Sequence, residues 1–239
     1  MRRFFALIFI VALIFGVAAC GGDDPAEPEP TAAPATEAPA ATAEPAATSA
    51  PEQKDSSAAA NVVFTIDPAR STVRYLIREQ LANLTSPNDA IGETMDVTGT
   101  IVLDAEGNVV SEESQIVVGL AGLTSDSSRR DSYVKRNTLQ TDQYPNATFV
   151  VREIQGLPWP LPTSGEVTVQ MVGDFTIREQ TSEVTWETVI QAGAPESTGT
   201  AKTTITFEQF GLTKPRVAVV VSVVDEIRLE IDFTVVREK

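Results

Sequence analysis

One thiol, Cys20, is the only cysteine among 239 residues, and the chain has no histidine. Together these two facts settle most of the available chemistry. Serine or cysteine nucleophiles are usually activated by an imidazole, so Ser-His-Asp and Cys-His catalysis are excluded, as is any histidine-based metal site. The side chain that ordinarily titrates near neutral pH is missing too. The 33 Asp and Glu residues leave an all-carboxylate mechanism or a carboxylate–calcium site open, but no spacing nominates a converging pair. Arg129, Arg130, Lys135 and Arg136 form the one dense basic group. Such a group suits a phosphate headgroup or a carbonyl oxygen, although a solvated helix face is the favoured reading. The Arg130–Asp131 pair is expected to cap and anchor that helix.

The residues around Cys20 give the thiol a different use. Arg2 and Arg3 precede an apolar run from Phe4 to Val17, and small residues lead into Cys20. A charged start, a short apolar core and small residues are the order of a secretory signal. The run, about 14 residues long, is short for a spanning helix, which needs roughly 20. The segment resembles a bacterial lipobox, which implies a signal peptide at 1–19 and a diacylglyceryl group on Cys20. The expectation is an exported protein, lipid-anchored to the cell membrane, with its domain in the periplasm or on the outer surface. An ordinary signal peptide with a chance cysteine, or an uncleaved anchor, is the alternative. Loss of 1–19 removes two arginines and takes the formal charge from −15 to −17. That acidity argues against nucleic acid as a partner, since phosphate binding rests on Lys and Arg.

Residues 20–60 carry Pro25, Pro28, Pro30, Pro34, Pro39, Pro45 and Pro51 among alanines and acids, with no aromatic side chain. This composition cannot bury enough apolar surface to offset its ordering entropy, so a disordered, partly polyproline-like tether is predicted. The folded domain is expected over 61–239. Its pattern is period-2 alternation: Val167, Val169, Met171, Gly173 and Phe175 share one face, as do Ile227, Leu229, Ile231, Phe233 and Val235. Weaker runs lie at 62–66, 72–77, 94–103, 115–120, 147–154, 183–191, 200–207 and 217–223. Alternation of this kind marks strands with one buried and one wet face. Eight or more of them joined by short polar turns, such as Asp104–Asn108, predict an all-β antiparallel barrel. Between 123 and 145 the alternation breaks, and Ser128-x-x-Asp131 reads as a capping box. A short helix is predicted over 129–137, with a second turn near Leu139. Trp159, in the Pro-rich loop 156–162, is read as a loop anchor in preference to a plug over one end.

Several motifs then resemble those of the YceI-like polyisoprenoid-binding proteins. Asp67-Pro68-Ala69-Arg70-Ser71 is similar to the family's opening Asp-Pro-x-His-Ser, and Gly99-Thr100-Ile101 to its second strand. Arg130-Asp131-Ser132-Tyr133-Val134 followed by Tyr144-Pro145-Asn146-Ala147-Thr148-Phe149 resembles Arg-Asp-x-His-Leu and Tyr-Pro-x-x-x-Phe. Gly173-Asp174-Phe175-Thr176-Ile177, Phe210-Gly211-Leu212 and Asp225-Glu226-Ile227 match later motifs. Arg70, Glu79 and Tyr133 stand where histidines are common, so an imidazole contact to a headgroup is not available at those positions. The resemblance implies an extended lipocalin-like barrel around an apolar channel for a polyisoprenoid or an isoprenoid quinone, with no catalysis and no cofactor or metal.

On this reading the channel would be lined by Phe149, Val169, Met171, Phe175, Phe207, Leu229 and Phe233, with Arg130 and Tyr133 at the headgroup. Holding the ligand is a matter of partition, at about 0.8 kcal/mol per buried methylene. Alternation alone leaves the interior undecided, because a hollow barrel and a filled one place the same residue types inward. A filled barrel would point to a non-enzymatic structural or protein-interaction module of the envelope instead.

Overall fold

The computed structural model describes residues 61–238. The expected signal peptide at 1–19, the expected lipidation at Cys20 and the expected linker at 20–60 lie outside the described residues. Eleven strands form one antiparallel sheet that closes on itself. They are β1 (Val62–Ile66), β2 (Thr72–Leu81), β3 (Asn88–Thr94), β4 (Val97–Leu103), β5 (Gln115–Gly119) and β6 (Thr124–Ser125), then β7 (Asn146–Gln155), β8 (Ser164–Ile177), β9 (Gln180–Gly193), β10 (Glu196–Thr206) and β11 (Val220–Arg237). β1 with β2, β3 with β4, and β5 with β6 are each one long strand with an interruption. The ring therefore has eight staves in up-and-down order, closed where β11 meets both β1 and β2. Closure removes the exposed edges that an open sheet would present.

The interruptions have local causes. Between β1 and β2, Asp67 accepts from the Ala69 amide at 3.0 Å and from Arg70 Nε at 2.7 Å. Ser71 Oγ donates to the Asp67 carbonyl and accepts from the Thr234 amide, which ties this corner to β11. The Asp-Pro-x-Arg-Ser motif is thus a corner-maker. Residues 94–103, read as one strand, divide between β3 and β4, because the chain turns at Met95 and Asp96 with the Val97 amide bonded to the Met95 carbonyl. The β3 segment, with its Gly92 packed under the Tyr75 ring, has too weak an alternation to have been read from sequence. The runs 217–223 and 227–235 in turn fuse into β11 from Val220 onward, residues 217–219 standing before the strand, with the interval holding Asp225 and Glu226 absorbed as an irregularity against β2 between Val223 and Ile227.

At the end of the barrel called upper here, α1 (Ser128–Tyr133) continues into a π-helical turn, Val134–Leu139. The helix begins one residue earlier than predicted. Ser127, not Ser128, is the N-cap, its hydroxyl accepting from the Arg130 amide. Asp131 does not close a capping box; it accepts from Ser125 Oγ at 2.6 Å and pins the helix to β6. Gln140, with φ 55°, ends the π-helical turn. At the lower end, Asp104 accepts from the amides of Glu106 and Asn108, making the predicted turn. Trp159 lies against Gly107 of that turn, where a Cβ would come within 2.6 Å of the indole. It therefore anchors the Pro-rich loop to the outside.

Candidate functional site

Inward faces are set by strand parity. On β11 the inward row is Ile227, Leu229, Ile231, Phe233, Val235; on β2 it is Val73, Tyr75, Ile77; on β9 it is Val184, Trp186, Thr188, Ile190. A ring of eight staves can be filled by its side chains or can leave room for a ligand; here two apolar cavities remain. The upper one, about 150 Å³, is walled by Tyr75, Phe149, Phe175, Trp186, Phe207 and Leu229 among others, and is roofed by Val134, Thr138 and Leu139 of the helical insertion. The lower one, about 110 Å³, is walled by Phe64, Ile101, Ile190 and Phe233, and floored by Leu157, Leu161 and Pro162. Ile116, Met171 and Ile231 line both. They form a waist between the two cavities, and Met171, unbranched and flexible, is its most adaptable member.

The predicted lining residues distribute between the chambers. Phe149, Phe175, Phe207 and Leu229 line the upper cavity, Phe233 the lower, and Met171 both. Val169 lines neither; it is buried in the packed wall of β8. Trp186, Tyr75 and the three roofing residues were not nominated from sequence. For Trp186 the signal was present in the alternation of 183–191. A helical excursion inside an all-strand domain is expected from the sequence to cover one end of the barrel, and this one does; which of its side chains turn inward is set only by the fold.

Phe149, Phe175, Trp186 and Phe210 form an aromatic cluster in the upper half. Edge-on contacts run at centroid distances of 6.4 Å for Phe149–Phe175 and 5.6 Å for Phe175–Phe210. The indole packs between Phe149 and Phe175 at 6.0 and 6.1 Å. Among the described residues, Trp186 Nε1 and Thr138 Oγ1 have no hydrogen-bond partner although both are buried. A buried donor without an acceptor is costly.

Arg130 and Tyr133 line neither cavity. Arg130 Nη2 reaches Glu79 Oε1 at 2.8 Å, and its Nη1 bonds Asp126. Glu79 continues the inward parity of β2 and is buried, so this pair fastens the helical insertion to the rim of the barrel. Burial works against the guanidinium's charge, but the Asp126 bond and the Glu79 charge outweigh it and hold Arg130 protonated above its ordinary range. Burial also pushes the nearby Tyr75 hydroxyl up to about 12, with the Arg130 charge only partly opposing the shift. The lower mouth carries Arg237 on the inward parity of β11. Among the described residues no three carboxylates converge so as to hold a metal ion.

This geometry, an apolar channel in a closed eight-stave barrel, has solved relatives. A polyisoprenoid binding domain from Saccharophagus degradans, implicated in plant cell wall breakdown, superposes with a TM-score of 0.58 at 11% identity, covering 73% of this chain and 98% of that one. BcnA of Burkholderia cenocepacia superposes with a TM-score of 0.53 at 17% identity, covering 71% of this chain and 98% of that one. At such identities the likeness is one of fold. No curated protein matches the chain by sequence. Residues 64–235, nearly the whole described barrel, match the YceI-like domain, and the chain belongs to the YceI-like family.

Proposed function

We propose that this protein binds an isoprenoid lipid, a polyisoprenoid or an isoprenoid quinone, in the channel of its barrel and sequesters or carries it at the cell envelope. The observation that carries this reading is the pair of apolar chambers that meet at Met171. Each is comparable to the roughly 150 Å³ apolar cavities known to stay dry and take up benzene. A flexible chain of repeating five-carbon units suits two such spaces in series. The Saccharophagus relative, named for polyisoprenoid binding, supports the same class of ligand. A quinone adds a carbonyl oxygen, an acceptor that the unpartnered Trp186 and Thr138 polar groups lack. The protein acts by holding its ligand rather than transforming it, since the upper cavity is walled almost wholly by apolar side chains.

Export and acylation at Cys20 complete the proposal. The lipid on Cys20 keeps the barrel near the bilayer that supplies its ligand, and 20–60 serves as tether. Organic extracts of the natively expressed protein, analysed by mass spectrometry, are expected to contain an isoprenoid. Lipid-free extracts together with no uptake of added prenyl chains would overturn the reading. Cys20→Ser is expected to release the protein from membranes while leaving ligand uptake intact.

A further inference from the structure

The upper end of the barrel carries an apolar surface that the packing does not use. Val217, Val219, Val221 and Val224 are exposed, Val219 at 50% and Val221 at 67%, and Leu84 is exposed in the loop between β2 and β3. These residues belong to one overhang. β11 pairs with β2 from Val220↔Leu81 onward, but with β10 only from Glu226. The first residues of β11 therefore project past β10 as half of a two-stranded flap. The Ala82 amide, bonded to the Val219 carbonyl at 3.0 Å, holds the 82–87 loop to it.

Two further observations say what covers this surface. The segment leading into it contributes Leu212 and Pro215 to the wall of the upper cavity, so the chain that carries the exposed valines also walls the channel. Acidic residues are also sparse there, and Asp225, at the end of the overhang, is taken up by an ion pair. In a chain with 33 acidic residues there is none from Gln209 to Val224, nor from Gln80 to Asn88, while Lys214 and Arg216 lie within the first interval. Lys214 is paired with Asp225 at 2.9 Å; Arg216 has no ion-pair partner among the described residues. Contiguous exposed apolar side chains mark an interaction site, and a basic residue beside them suits anionic headgroups.

We propose that Leu84, Val217, Val219, Val221 and Val224 form a lip that docks the upper end onto an anionic lipid bilayer, with Arg216 at the headgroup phosphates. Docking sets the Leu212–Pro215 wall of the channel against the acyl chains. The docking stands on the surface itself; its use in loading a lipid rests on the function proposed above.

The test uses the full chain carrying Cys20→Ser, so that a polarity-sensitive fluorophore goes only to an introduced cysteine. Val221→Cys places it on the lip, and Glu106→Cys places it at the exposed lower turn. With phosphatidylcholine vesicles containing a quarter phosphatidylglycerol, the Val221 label is expected to shift to the blue and to be quenched by brominated acyl chains, while the Glu106 label stays in water. Arg216→Gln is expected to weaken that response about fivefold on these vesicles and hardly at all on pure phosphatidylcholine. The proposal is overturned if the Val221 label stays in water, or if both labels respond alike. A blue shift that depends on protein concentration without vesicles would assign the lip to a second copy of the chain and equally overturn it. Docking without any extractable isoprenoid would instead sink only the ligand reading.

Discussion

The two ends of the barrel are built from the same alternating strands and hold their cavities in different ways. The upper chamber is surrounded by an aromatic cluster, roofed by a helical insertion and fastened by an ion pair whose two members are mostly buried. The lower chamber is closed by a Pro-rich loop, and the ion pairs near it, Arg70 with Asp67 and Glu196, are substantially exposed. The upper end is therefore expected to contribute more to stability than the lower. The waist at Met171 decides whether the two spaces act as one.

The contrast is broken most directly at the aromatic cluster. Phe175→Ala, in the upper half, is expected to cost about 3–5 kcal/mol, measured by denaturant unfolding, whereas Phe233→Ala in the partly buried lower wall costs clearly less. Equal losses would remove the distinction between the ends. Next in size is the fastening of the roof. Arg130→Ala leaves Glu79 buried without its partner, and roughly 2–4 kcal/mol of destabilisation is expected, somewhat below the range for a wholly buried pair because Arg130 is partly exposed. Arg70→Ala at the lower end should leave the unfolding midpoint nearly where it was, since exposed pairs contribute little.

A third comparison is one of pH. Tyr75 at the upper end titrates near 12 in the folded chain, against 10.0 ordinarily. Between those values the unfolded chain releases the phenolic proton and the folded chain keeps it. Stability therefore falls as pH rises from about 10 to about 12, by something on the order of 2 kcal/mol, and levels off above. Tyr75→Phe should flatten that part of the profile; an unchanged slope would place its origin elsewhere. The sharpest effect on function is expected from Met171→Trp, which fills the waist. A long prenyl chain should lose roughly tenfold in affinity for every two methylenes kept out of the second chamber, while a chain short enough for one chamber binds as before. Equal losses for both lengths would mean that the cavities are not one channel.

Much of this was legible along the chain. The inward rows of β8 and β11 follow from period 2, and the break at 123–145 marked where a helix interrupts the sheet. The Asp-Pro-x-Arg-Ser and Tyr-Pro motifs fell in order along one domain. Other features were not legible, each for a physical reason. Arg130 reads from the sequence as a partner of Asp131; its actual partner Glu79 lies 51 positions earlier, and only ring closure brings the insertion down on that rim. Val169 shares the parity of Met171, yet neighbouring strands pack over one and leave the other facing space. The 217–223 run read as an ordinary strand, and its exposure follows from β10 stopping short of it.

The sequence by itself determined which side chains alternate, hence an antiparallel barrel with an apolar inside, and through its missing histidines it ruled out imidazole chemistry. Periodicity is a local property, carried by each strand alone. Whether the inside is filled or hollow was decided only by the tertiary structure. A cavity is the difference between the width of a ring of eight staves and the summed reach of side chains from all of them. No single strand contains that quantity.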